Sequence, residues 1–144
     1  MSVGCFAANR ELPGVKFGDL AVLLAKGYFK NYVPKDAPME QCVTFLNEKG
    51  ISFSLFDLLD PLATVSEEDV ARVVGQSKLL LSGEAELRNG RIKKPEEAET
   101  WIDYCILNDI DLVAISSRLL DRVAQGNLPE VEQFYSQRSG PKTN

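Results

Sequence analysis

PEEAETWIDYCILNDIDLVAISSRLLDRVAQG, residues Pro95 to Gly126, decides the fold class. Pro95 suits a first helical turn, where its missing N–H costs nothing. Glu96, Glu97 and Glu99 sit near the positive end of the helix dipole. Ala98, Ile102, Cys105 and Ile106 then share one face at three-to-four spacing, with Trp101 beside them, and Leu112, Ile115, Leu119, Leu120 and Val123 continue the rhythm. Arg118 and Arg122 match the negative end, and Gly126 supplies a left-handed stop.

A straight helix over this span would be roughly 48 Å long, against a radius of gyration of about 15 Å for a chain of this size. The spacing therefore predicts a break near Asn108-Asp109, where a short polar side chain caps a second helix. The two halves should supply half of the core.

The rest of the chain carries the same signature. Phe17 to Val33 reads as a helix apolar almost all round, with Leu20, Leu24 and Tyr28 on one stripe and Val22, Ala25 and Phe29 off it. Such a helix is either central in the core or shared with a partner. Under the second reading, Val22, Lys26, Phe29 and Tyr32 form a partner-binding face. Asp36 and Pro38 open a helix with Met39, Cys42, Val43 and Leu46 inward and Gly50 after it. Ile51 to Leu59 fits both strand and helix periodicity. Helix is preferred, capped by Ser52 or Ser54 and ended by Asp60-Pro61, because no second strong strand is near.

Ser66-Glu67-Glu68-Asp69 is a capping box with Asp in place of Glu. It starts a helix to about Ser82, with Val70, Val73, Val74, Ser77 and Leu81 inward and Gly83 closing it. Asn89-Gly90 is a two-residue hairpin turn signal, flanked by Leu87 and Ile92; a plain loop is the alternative. A last short helix, PEVEQFYSQR, follows Leu128. Residues 1–16 read as irregular and 139–144 as a frayed tail. The expectation is a single all-α domain over residues 1–144, a compact bundle of about six helices, with or without one small β-hairpin over residues 84–93.

Composition narrows function mostly by exclusion. Hydrophobic content of 44% and charged content of 26% over 144 residues fit a globular domain with a proper core. There is no histidine, which removes Ser-His-Asp and Cys-His catalysis and the HExxH zinc motif. The three cysteines, Cys5, Cys42 and Cys105, form no metal-ligand spacing and suit buried thiols in a reducing compartment. The N-terminus lacks the pattern of a signal peptide, and the longest apolar run, Leu20 to Ala25, is too short to span a bilayer. These features place the expected protein in the cytoplasm. No phosphate-binding glycine loop is present, and no cofactor is expected.

Two constellations remain. Arg88, Arg91, Lys93 and Lys94 make the one basic cluster, on the candidate hairpin. Helix then hairpin with a basic tip is the plan of a winged-helix DNA-binding regulator. Against that plan, the would-be recognition helix opens with three carboxylates, and the net charge of −5 disfavours phosphate binding. Asp103, Asp109 and Asp111 offer oxygen ligands for Mg²⁺ or Ca²⁺, the basis for a small enzyme with an acidic metal site. The competing reading is helix capping on a solvated face. The preferred expectation is a non-enzymatic interaction or regulatory module with a protein partner, another chain or a second copy of this one.

Overall fold

The computed structural model describes residues 9–60 and 62–125. Within them the chain runs β1 (Glu11–Leu12), α1 (Phe17–Tyr28), α2 (Met39–Glu48), α3 (Leu55–Leu59), β2 (Val65–Ser66), α4 (Glu67–Ser82), β3 (Leu87–Arg88), β4 (Arg91–Ile92), α5 (Trp101–Leu107) and α6 (Leu112–Ala124). The fold is mostly α-helical, with two antiparallel strand pairs of two residues per strand.

α1 and α4 form the centre. α2 packs along α1, α5 along α4, and α6 touches both α1 and α4. Every residue of α1 from Phe17 to Ala25 is buried, so this helix is enclosed by its own chain. Each of its large aliphatic side chains contributes roughly 1.5–3 kcal/mol of transfer free energy. The β1–β2 pair joins the leading ends of α1 and α4 in the register Glu11↔Ser66 and Leu12↔Val65. Arg10 reinforces it: its backbone carbonyl accepts from the Glu67 N–H at 2.7 Å, and its guanidinium meets the Glu67 carboxylate at 2.7 Å.

The capping box forms as read. Ser66 Oγ accepts from the Asp69 N–H, and Asp69 Oδ2 accepts from the Ser66 N–H at 2.8 Å. Gly83 closes α4 in a left-handed conformation. The hairpin forms too, in the register Leu87↔Ile92 and Arg88↔Arg91, with Asn89 and Gly90 at φ 54° and 79°. Both central residues in the left-handed region give the turn whose twist matches the strands. Buried Gln76 fastens the hairpin to α4 by donating Nε2–H to the Ile92 carbonyl at 2.8 Å.

Several boundaries differ from the sequence reading. α1 ends at Tyr28, after Gly27, a weak helix former. Phe29 and Val33 then turn inward to meet α2. α2 is capped at Pro38, not Asp36, because a turn from Pro34 to Ala37 occupies the residues before it. Glu11–Leu12 is paired, not irregular, and Leu81 points outward while Leu79 is buried.

α5 starts at Trp101 and not at Pro95. Thr100 Oγ1 accepts from the Asp103 N–H, while both oxygens of Glu68, on α4, accept from the N–H groups of Trp101 and Ile102 at 2.9 and 3.2 Å. The predicted break is present: Asp109 takes φ 57°, and Asp111 caps α6 through the Ala114 N–H at 3.1 Å. The two helices after Pro95 do not form half of the core, since α6 fully buries only Ser116 and Leu119. The stop at Gly126 and the helix after Leu128 lie outside the described residues.

Candidate functional site

α3 is a single short helix carrying more apolar surface than it hides. Only Leu58 enters the core. Leu55 is 67%, Phe56 88% and Leu62 85% exposed, and Leu59 lies partly open beside them. Phe53, three residues before Phe56, is buried instead. Its backbone N–H donates to Asn47 Oδ1 at 2.9 Å, and the Arg72 guanidinium lies 5.8 Å from its ring centroid. The helix is too short to offer the core more than one position per turn, so the remaining apolar side chains face water. Leu55, Phe56, Leu59 and Asp60 line a shallow hollow of about 290 Å³.

A polar groove of about 750 Å³ lies between α3, α4 and the hairpin, lined by Ser52, Ser54, Asp57, Asp69, Arg72, Arg88, Arg91 and Lys94 among others. Arg72 is its best-positioned cation. Its Nη1 donates to the Ser52 carbonyl at 2.9 Å and to Gln76 Oε1 at 3.0 Å. Both acceptors are neutral, so the charge itself is unmatched by an ion pair. Burial holds the Arg72 pKa below the usual arginine value, and Arg91 adds to that while Asp69, Asp57 and Glu68 oppose it. Arginine nonetheless stays charged at any physiological pH.

The four basic residues singled out in the sequence divide here. Lys93 pairs with Glu86 at 3.6 Å, and Lys94 Nζ donates to the carbonyls of Pro95 and Ala98. Arg88 and Arg91 are exposed and have no carboxylate at ion-pair distance among the described residues. The sequence reading kept Arg72 apart from this cluster, as a cation of the would-be recognition helix, whereas α4 delivers it to the same groove from sixteen residues upstream of Arg88. That reading missed Leu55, Phe56 and Leu62. The available signal was the apolar run on both sides of Asp60, longer than one buried helical turn requires.

The proposed partner face on the first helix is corrected. Val22 is 1% and Phe29 3% exposed. Val22 lies in the enclosed part of α1, and Phe29 packs on Phe45 with ring centroids 5.2 Å apart. Neither reaches a partner without unfolding. Lys26 is half-buried, and Tyr32 alone of the four is open, stacked on Phe45 at 6.0 Å.

The three carboxylates opening α4 all have structural partners: Glu67 with Arg10, Glu68 with the start of α5, Asp69 with Ser66. Val70, Val73 and Val74 behind them are fully buried. α4 is thus a central helix, a poor match to a recognition helix that lies open to a DNA groove. Asp103 sits in the first turn of α5, Asp109 in the turn after it, and Asp111 caps α6. No cluster of three or more possible metal ligands occurs among the described residues. No helix among them is long and apolar enough to cross a membrane.

No family model matches this chain, and neither curated proteins nor solved structures provide a similar one.

Proposed function

We propose that the protein is a non-enzymatic docking module, and that it binds a partner protein through α3 and the hairpin-side groove next to it. The observation that supports this most is the exposure of Leu55, Phe56 and Leu59 around one shallow hollow. Single exposed apolar residues are ordinary on a protein surface, whereas a contiguous cluster is a docking or aggregation site. On the other flank of α3, Arg72, Arg88 and Arg91 line the groove together with Asp57 and Asp69 and add a polar, orienting rim of the kind that interfaces use.

A second copy of the chain is a poor occupant. An isologous dimer would bring two copies of the same cationic groove into one interface, and like charges facing one another cost several kcal/mol. Nucleic acid is disfavoured by the overall acidic balance. The proposal sets the protein in the cytoplasm, in keeping with Cys42 and Cys105 buried in the core, which a reducing compartment preserves as thiols.

The test is affinity capture of the tagged chain from its own cells, repeated with Phe56→Asp. Docking through α3 requires a partner that the wild type retains and the variant loses, with coincident thermal melts. A set of captured proteins unchanged by Phe56→Asp contradicts it.

A further inference from the structure

The apolar hollow and the cationic groove share α3 as their common wall. Leu55, Phe56 and Leu59 face one side, and Asp57 faces the other together with Arg72, Arg88 and Arg91. The chain as a whole carries 21 acidic and 16 basic residues, so a groove in which Arg72, Arg88, Arg91, Lys93 and Lys94 outnumber Asp57 and Asp69 runs against the charge of the molecule that bears it. The groove's cations outnumber its carboxylates and attract acidic segments at short range, where screening leaves the net charge of −5 little influence. Opposite charge across the interface steers encounter and fixes register.

From this juxtaposition we infer that the face takes a segment of a partner protein in which acidic residues flank bulky apolar ones. The apolar side chains rest on Leu55, Phe56 and Leu59, and the carboxylates enter the groove of Arg72, Arg88 and Arg91. This rests on the docking reading above and adds the chemistry of the partner.

Arginine suits the role because its planar fork pairs a carboxylate through two parallel hydrogen bonds. Arg72 is already held by Ser52 and Gln76, so little side-chain freedom is lost when a carboxylate arrives. Arg88 and Arg91 face each other across the hairpin register and present a second pair of donors at the groove's outer edge. A nucleic acid would use the same arginines. It would leave the apolar hollow unused.

The experiment is selection of a random peptide display library on the immobilised full-length protein. The selected sequences are then titrated as synthetic peptides against wild type, Arg91→Glu and Phe56→Asp, with oligo-dT as competitor. Both substituted residues are exposed, and thermal melts confirm that each variant stays folded. The expected result is enrichment of Asp or Glu beside Leu, Phe, Ile or Trp. Affinity should fall about tenfold or more, equivalent to about 1.4 kcal/mol, in each variant. It should also fall as NaCl rises from about 0.05 to about 0.5 M.

Selected peptides without acidic residues, or with binding that Arg91→Glu leaves intact, overturn the inference. If Phe56→Asp still abolishes their binding, docking on α3 survives without it. Failure to enrich any peptide, or displacement of the peptides by oligo-dT at lower concentration than the peptides themselves require, also overturns it. The capture experiment decides the docking reading separately.

Discussion

The six-membered ring of Trp101 rests against the backbone of Gly75, so close that a methyl group added at Gly75 would lie 2.6 Å from Cε3 and 2.8 Å from Cζ3. This contact lets α5 approach α4 in mid-helix, beside the edge-to-face pair of Trp101 and Tyr104 with ring centroids 5.7 Å apart. A glycine that weakens a helix by about 1 kcal/mol relative to alanine is kept where a large ring needs the space.

Gly75→Ala should therefore destabilise the protein by about 1–3 kcal/mol, the cost of overpacking exceeding the gain in helix propensity. Gly27→Ala makes the opposite case. Nothing lies within 4 Å of the added methyl group, and a gain of about 0.5 kcal/mol is expected. Urea melts of the two variants check the signs.

Glu68 joins α4 to α5 through the N–H groups of Trp101 and Ile102. Glu68→Ala removes the acceptors for both and should cost about 1–3 kcal/mol. Glu68→Gln keeps one carbonyl acceptor and should cost less. Amide hydrogen exchange at Trp101 and Ile102 should accelerate in the same order, alanine before glutamine before wild type.

Burial pushes the Cys105 thiol up to about 12, with the charge of Glu68 adding to the shift. In the unfolded chain the thiol ionises near its ordinary value of about 8.5. Between these values the unfolded state sheds a proton that the native state keeps. Stability from this group is complete below about pH 8.5. It declines as pH rises towards 12, by up to about 1.4 kcal/mol per unit. Urea melts of wild type and Cys105→Ala from about pH 8 to about pH 11 should show the steeper decline in wild type. Equal slopes would remove Cys105 as the cause.

Val22 and Phe56 are two apolar residues with opposite fates. Val22→Asp places a carboxylate in the enclosed part of α1, where an unpaired charge costs several kcal/mol, and should leave little folded protein. Phe56→Asp alters a side chain already in water and should change stability by no more than about 0.5 kcal/mol. Circular dichroism melts of both variants read the contrast directly.

Much of the fold was legible because its signals are local. The Ser66–Asp69 capping box and the Asn89-Gly90 turn each act within three residues of sequence, and each formed, whereas the cap expected at Asn108-Asp109 falls on Asp111. The start of α5 was misread at Pro95 because part of its cap comes from Glu68, 33 residues upstream of Trp101. The candidate site was hardest to read. The nearly all-round apolar pattern of α1 fitted both a central core helix and one shared with a partner, because periodicity does not report what covers a face. Whether Phe53 or Phe56 faces water depends on Asn47 and Arg72, which lie on two other helices. Four basic residues were visible near the hairpin, but which of them keep unmatched charge depends on Glu86 and on the carbonyls of Pro95 and Ala98.

The most direct measurement is a photo-crosslinking scan in living cells, with a photoreactive phenylalanine analogue placed in turn at Phe56, Tyr32, Leu81 and Val113, all exposed. Docking through α3 should give a discrete adduct heavier than the chain alone from position 56, weakened by Arg91→Glu, and none of comparable yield from the other three. Adducts at Tyr32, Leu81 or Val113 with none at position 56 would contradict it.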